Sequence, residues 1–428
     1  MKKIAWLMLL CSVVLIIPAM AFGETVVTHL TYISHGQNYN DWIMKQAEAF
    51  NKANPGIRVE VIIGNQEKMK TMMAAGVAPD VLDMPDFDYL GREGGLVDIR
   101  PFLVRDNLWN SFNPALLNLL IKQNGAIYNV PFELGVVAVY FNRDMFNEAG
   151  LNTPDRMGAN WTWDAMVAAG KKLTHDADGN GIPEKFGIDR PWGYWRTAIY
   201  QAGGTFYEFD EDELPVRSLW NTPEVLRGVE YTLSFYREGI TPHKYHLAGA
   251  LNQVDYYFWT GKTAIDVTDG LGIIDTYLSQ SDFNWDFALQ PAGPAGPVAG
   301  SAGMTGPLIL SSSKCINEAW EWVKFYAMDK ERMEDWIRSV GRIPALANAQ
   351  AAYATIKGLT QKNFRAIIEQ ANYPPKPQYP VDNFLAPRLI SLDPVWKEQK
   401  SPAIFLQEVH EKMTGYIAEL RASKGAAK

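Results

Sequence analysis

The chain is short of cysteine, histidine and positive charge, and each shortage removes a class of function. Its 428 residues include two cysteines, Cys11 and Cys315. Cys11 lies inside the apolar run from Ile4 to Ile17, which reads as part of an export leader, so Cys315 is expected to be alone in the mature chain. A lone thiol forms no intrachain disulfide, and the core must hold without that constraint. The six histidines are scattered, and the sequence holds no HExxH, no GxSxG elbow and no P-loop. Metal-dependent, acyl-transfer and nucleotide chemistry thus lack their usual residues, and no metal and no cofactor are expected. Lys and Arg number 40 against 48 Asp and Glu, a net charge of −8, which argues against nucleic acid or an anionic membrane surface as partner. No short repeat period is visible, which argues against a solenoid or propeller.

What is present begins with Met1-Lys2-Lys3, the apolar run, and Pro18-Ala19-Met20-Ala21. A positive start, an apolar centre and a small-x-small site make residues 1–21 a secretory signal peptide, too short and too early for a permanent anchor. Leu10 stands before Cys11 where a lipoprotein signal needs a small residue, so a lipid anchor is not expected. Cleavage after Ala21 removes Lys2 and Lys3 and moves the net charge from −8 to −10. At 47% hydrophobic content, the remaining chain is too long for one typical core, and two domains are the default.

The most specific stretch runs from Ile127 to Thr174. Pro131 suits a strand's end, and Val136 to Phe141 is an apolar, largely β-branched run that reads as one buried strand. Asn142 is a strong N-cap, Asp144 lies in the first turn and Gly150 is a natural stop, so Asn142 to Ala149 reads as a short helix. Thr162 caps a second helix carrying Met166, Ala169 and Leu173 at helical spacing. The run Tyr140 to Leu151, followed by Pro154 and Thr162-Trp163-Asp164, resembles the signature of the family 1 extracellular solute-binding proteins, the sugar-binding receptors of ABC importers. Further landmarks in the same order resemble that family: Asn54-Pro55-Gly56, Ala75 to Leu82, Gly94 to Ile99, Phe258 to Ile265, and Gly341 to Ala345.

The resemblance implies an α/β, two-lobed periplasmic-binding-protein fold (type II) of the maltose-binding-protein kind. Each lobe is a mixed sheet flanked by helices, and hinge crossings join them. The N-terminal lobe is expected to comprise 22–133 with 304–360, and the C-terminal lobe 134–303 with 361–428. It further implies a periplasmic monomer that binds a carbohydrate and presents it to a membrane permease, performing no chemistry.

Candidate ligand contacts follow the strand exits, where open α/β sheets meet ligands. His35 and Gln37 follow the first strand; Asp83 and Asp86 follow Val81-Leu82, and carboxylates accept paired sugar hydroxyls. Glu133 lies at the crossing, Asp269 leaves the Ala264-Ile265 strand, and Gly303 would let backbone approach a ligand. The densest stretch is Phe186 to Trp195, where Trp192 and Tyr194 offer rings and Arg190 a fixed fork of donors; Trp195 is expected to pack beneath them. Tyr379 and Asn383 are later candidates. Asp176-Ala177-Asp178-Gly179-Asn180-Gly181 begins like a calcium loop, but its twelfth position is Gly187, so a hydrogen-bonded turn is expected. Two other classes stay open: a receptor for a polyol phosphate or polyamine, and a secreted carbohydrate-active enzyme with two carboxylates across a bond. With Arg190 alone against several acids, a neutral saccharide is the expected ligand.

Overall fold

The computed structural model describes residues 24–426 apart from 269, 271–273, 275–277, 279–280, 357–358 and 377–384, and omits the side chains of 85, 86, 88, 302 and 424–426. The leader, Asp269, Tyr379, Asn383 and the Asp86 side chain therefore lie outside the described residues. Within them no helix is long and apolar enough to cross a membrane.

Twelve strands are described, in chain order β1 (Thr25–Tyr32), β2 (Ile57–Gly64), β3 (Val81–Asp83), β4 (Glu133–Val136), β5 (Val139–Asn142), β6 (Phe186–Ile188), β7 (Tyr207–Phe209), β8 (Pro215–Ser218), β9 (Thr263–Asp266), β10 (Trp285–Ala288), β11 (Ala302–Thr305) and β12 (Leu308–Ile309). They form two mixed four-stranded sheets, one per lobe, ordered β12-β3-β1-β2 and β10-β5-β9-β6. In the first, β1 runs parallel to β2 and β3, and β12 returns antiparallel from far along the chain. In the second, β6 and β9 are parallel while β5 and β10 are antiparallel to their neighbours. The antiparallel ribbon β4-β11 carries the chain between them.

β1 is rich in β-branched residues and central in its sheet, and Val27 and Leu30 are fully buried. Helix Gln37–Ala53 lays Tyr39, Trp42, Ile43, Ala47 and Phe50 on the core at three and four spacing. At the foot of the ribbon, Phe132 is ringed by Trp42, Tyr326 and Trp336 at centroid distances of 6.1, 5.6 and 4.9 Å. Tilted and edge-on pairs of this kind contribute about 0.5–1.5 kcal/mol each beyond area burial.

One expectation is corrected. Val136 to Phe141 is not one strand: β4 ends at Val136, and β5 begins at Val139. The run is apolar for two separate reasons. In the ribbon Leu134 and Val136 are buried around an exposed Gly135, the period of a one-sided strand; in β5 every residue is buried, as a central strand requires. The local signals stand, since the Asn142 side chain accepts the N–H groups of Asp144 and Met145, and Thr162 that of Ala165.

Candidate functional site

On the first lobe a buried polar cluster gathers at the C-terminal ends of β1 and β3. Asp83 accepts hydrogen bonds from the hydroxyls of Thr31, at 3.2 Å, and Tyr39. His35, from the turn after β1, places Nε2 3.0 Å from the Asp83 carbonyl and 3.6 Å from its carboxylate. Burial works against charge on both partners, yet their mutual interaction wins: His35 is raised above its usual range and Asp83 held below its own. Beside them Glu133 pairs with Arg342 at 3.1 Å, and Arg342 reaches the His35 carbonyl at 3.4 Å. Burial lifts the Glu133 carboxyl above its ordinary value, against the pull of Arg342.

On the second lobe the cluster is built around Arg190, which holds a left-handed φ of 38° where β6 turns into helix Pro191–Gln201. Its guanidinium pairs with Asp266 at 2.8 Å and Asp189 at 3.3 Å, and lies 5.2 and 5.1 Å from the ring centres of Tyr257 and Trp259. Asp189 also accepts the Phe258 N–H at 2.8 Å. Both carboxylates are fully buried; desolvation pushes the Asp189 carboxyl up although Arg190 opposes it.

The sequence candidates divide. His35, Asp83 and Glu133 come together on one lobe. Arg190 anchors the other, and Trp192 stands two residues on, 42% exposed. Asp83 is itself 3% exposed with its carboxylate engaged, so it positions His35 instead of facing solvent. Gln37 is exposed and donates to Asp41 at 2.6 Å inside the first helix, as a turn residue would. Tyr194 is fully buried, with its hydroxyl on Gln201 at 2.6 Å; the helix that begins at Pro191 turns it into the core, and we place it outside the surface available to a ligand. Trp195 is buried as expected. Gly303 faces Gly135 across the ribbon, and a Cβ on either would meet nothing within 4 Å. Packing thus does not demand these two glycines, in contrast to Gly306, where a Cβ would fall 2.2 Å from the Val130 carbonyl; they leave bare backbone facing open space.

The sequence reading missed Asp189, Asp266, Tyr257, Trp259 and Arg342. Tyr257 and Trp259 flank Phe258 at i and i+2, a spacing that hints at a shared face; Arg342 is 209 positions from Glu133, and nothing local marks it. In the loop Asp176 to Gly181, Asp176 accepts the N–H groups of Gly179 and Gly181, the turn that was expected. Asp176, Asp178 and Glu184 bring ligand atoms within 4.8 Å of one another, but their bonds are those of the turn.

The family model described as bacterial extracellular solute-binding protein matches residues 36–333. A binding protein of Brucella abortus is 24% identical over 368 residues, 82% of this chain and 84% of its own. A maltooligosaccharide ABC transporter solute-binding lipoprotein of Streptococcus pneumoniae is 23% identical over 359 residues, 81% of this chain and 78% of its own. Among solved structures, UspC of M. tuberculosis superposes with a TM-score of 0.74 at 20% identity, over 91% of this chain and 99% of that one. The sugar-binding protein MalE of Xanthomonas citri gives 0.73 at 18%, over 94% and 99%. At these identities the structural likeness speaks for the two-lobed fold.

Proposed function

The chain belongs to the bacterial extracellular solute-binding proteins, and from that membership we propose that it captures a sugar or oligosaccharide between its lobes and delivers it to the permease of an ABC importer. The observation that carries this reading is the wall of the second lobe: a guanidinium set against the adjoining rings of Tyr257 and Trp259, whose centres lie 4.7 Å apart, with the half-exposed Trp192 two residues on. Sugars present flat C–H faces edged with hydroxyls, and such a wall offers apolar faces edged with fixed polar groups. His35, Glu133 and Arg342 supply the facing polar edge, and the bare ribbon at Gly135 and Gly303 the floor. Relatives named for maltooligosaccharide and for lactose point to the same ligand class.

Binding without chemistry is the reading the carboxylates support. A glycosidase needs two that reach the scissile bond, whereas Asp189 and Asp266 are fully buried on Arg190 and Asp83 is turned inward. The protein works as a periplasmic monomer after removal of residues 1–21, with lobes 22–133 plus 304–360 and 134–303 plus 361–428.

A thermal-shift screen of the mature chain against saccharides, polyols, glycerol phosphates and polyamines tests this. A ligand at about 100 times its dissociation constant adds roughly 2.7 kcal/mol of stability, so a raised melting temperature with an intact saccharide is expected. A shift confined to polyamines or polyol phosphates would replace the ligand class, and release of hydrolysed sugar would overturn the binding-only reading.

A further inference from the structure

Behind Trp192 lies a cavity of about 330 Å3, walled by Trp192, Arg196, His243, Arg388, Ser391 and Asp393. It adjoins the Arg190 cluster through Gly193, which lines it: a Cβ there would stand 3.1 Å from Thr268, and Thr268 donates to the carboxylate of Asp266 that Arg190 holds.

Its charges are unusual for this protein. Half-buried guanidiniums elsewhere are paired: Arg143 with Asp155 and Asp286, Arg190 with Asp189 and Asp266, Arg342 with Glu133. Arg196 is half-buried over the Trp195 ring at 5.7 Å, and among the described residues neither it nor Arg388 has an ion-pair partner. Asp393 shares the cavity but pairs with neither. Burial is the main cause that depresses Arg196 below its usual range, and the neighbouring charge of Arg388 adds to it. His243 adds no charge, because burial lowers it to about 4. In a chain of net charge −8, two unpaired cations facing one cavity are a site for an anion.

We propose that this cavity receives an anionic group carried by the saccharide, a uronic acid carboxylate or a sugar phosphate, gripped by Arg196 and Arg388 while the sugar ring lies on Trp192. The assignment rests on the saccharide reading above and revises the expectation of a neutral ligand. Guanidinium forks match carboxylate and phosphate oxygens in bidentate fashion, and a ring on one side with cations on the other suits a ligand that is both flat and charged.

Calorimetric titration of the mature chain with glucuronate and galacturonate oligomers, their neutral parents, hexose phosphates and inorganic phosphate provides the test. At least one anionic saccharide should bind about 30-fold tighter than its neutral parent, with an affinity that falls as NaCl rises from about 20 to about 300 mM. Arg388→Gln, at an exposed position, and the double variant Arg196→Gln/Arg388→Gln should reduce that preference tenfold or more, leaving neutral-sugar affinity within about twofold. The winning arm, uronate or phosphate, names the source of the anion. Equal affinity for charged and neutral forms, a preference that survives the double variant, or inorganic phosphate binding as tightly as any sugar phosphate would each overturn the proposal. Neutral sugars binding without preference would leave the saccharide reading intact, whereas no saccharide binding at all would remove both.

Discussion

The Glu213 carboxylate accepts the backbone N–H of Gln123 at 3.1 Å, joining the tip of the β7-β8 hairpin on one lobe to the loop after helix Pro114–Leu120 on the other. Arg92 of the first lobe closes the same contact from the side, donating to the Glu213 carbonyl at 3.3 Å. Glu213 is buried and holds a left-handed φ of 59°, a conformation that is uncommon outside glycine and signals a constraint. We read the contact as a latch that forms when the lobes approach. Glu213→Ala should weaken ligand affinity about tenfold, the equivalent of about 1.4 kcal/mol for a charge-assisted hydrogen bond, with little change in melting temperature of the ligand-free protein. Small-angle scattering should also give a larger radius of gyration for the variant. Unchanged affinity and radius would show that the lobes close without it.

Trp192 and Tyr194, two residues apart, should respond in opposite ways. Trp192→Ala removes a half-exposed ring and should reduce ligand affinity by at least about 1 kcal/mol while leaving unfolding nearly unchanged. Tyr194→Ala opens a cavity in a packed core and should destabilise the fold by about 3–5 kcal/mol. Paired denaturation and titration curves distinguish the two, and a Trp192 variant that binds like the parent would remove that ring from the site.

This contrast also shows what the sequence makes legible. The caps at Asn142 and Thr162 were readable because capping is decided within four residues. The two-lobed fold was readable because its landmarks keep their order along the chain. Tyr194 was misjudged because composition drew attention to the stretch while helical phase decided the outcome: from a start at Pro191, Tyr194 and Ala198 share the buried face, and Trp192 and Arg196 share the other. Glu133 and Arg342 meet across 209 positions, because the segment Ile343 to Ala345 pairs with the backbone of Phe132 to Leu134. The division of Val136 to Phe141 between two sheets was hidden because both halves are apolar.

Two histidines should set the acid limb of stability. Burial, the main cause, lowers His29 and His243 from 6.5 to about 4. Once unfolded, both titrate near 6.5, so as pH falls from there to about 4 the unfolded chain binds more protons and each histidine costs up to about 1.4 kcal/mol per pH unit. His35 acts in the reverse sense: raised by Asp83 against burial, its contribution is complete below 6.5 and is lost as pH rises through its folded value. His243→Gln should therefore lose less stability than the parent between pH 7 and pH 5, measured by urea unfolding at both. A drop as steep as the parent's would show that His243 does not stay neutral in the folded protein.

Arg190 should prove structural before it proves anything else. Asp189 and Asp266 are both fully buried, and the guanidinium between them is the cation that both carboxylates touch. Arg190→Gln keeps a long polar side chain on the same left-handed backbone but removes the charge, leaving two buried acids together; breaking a buried pair in this way costs about 3–5 kcal/mol. The sign of its pH dependence follows from Asp189. Burial has already raised that carboxyl, Arg190 restrains it and Asp266 adds to it, so without Arg190 the folded value climbs further above the unfolded one. A raised carboxyl favours the fold at low pH, where it is protonated in both states, and penalises it as pH rises. The destabilisation of Arg190→Gln should thus be larger at pH 8 than at pH 5, and Arg190→Gln/Asp266→Asn should recover part of it. If the penalty were equal at both pH values, the acids would not be held by Arg190, and its guanidinium would be available to contact the ligand directly.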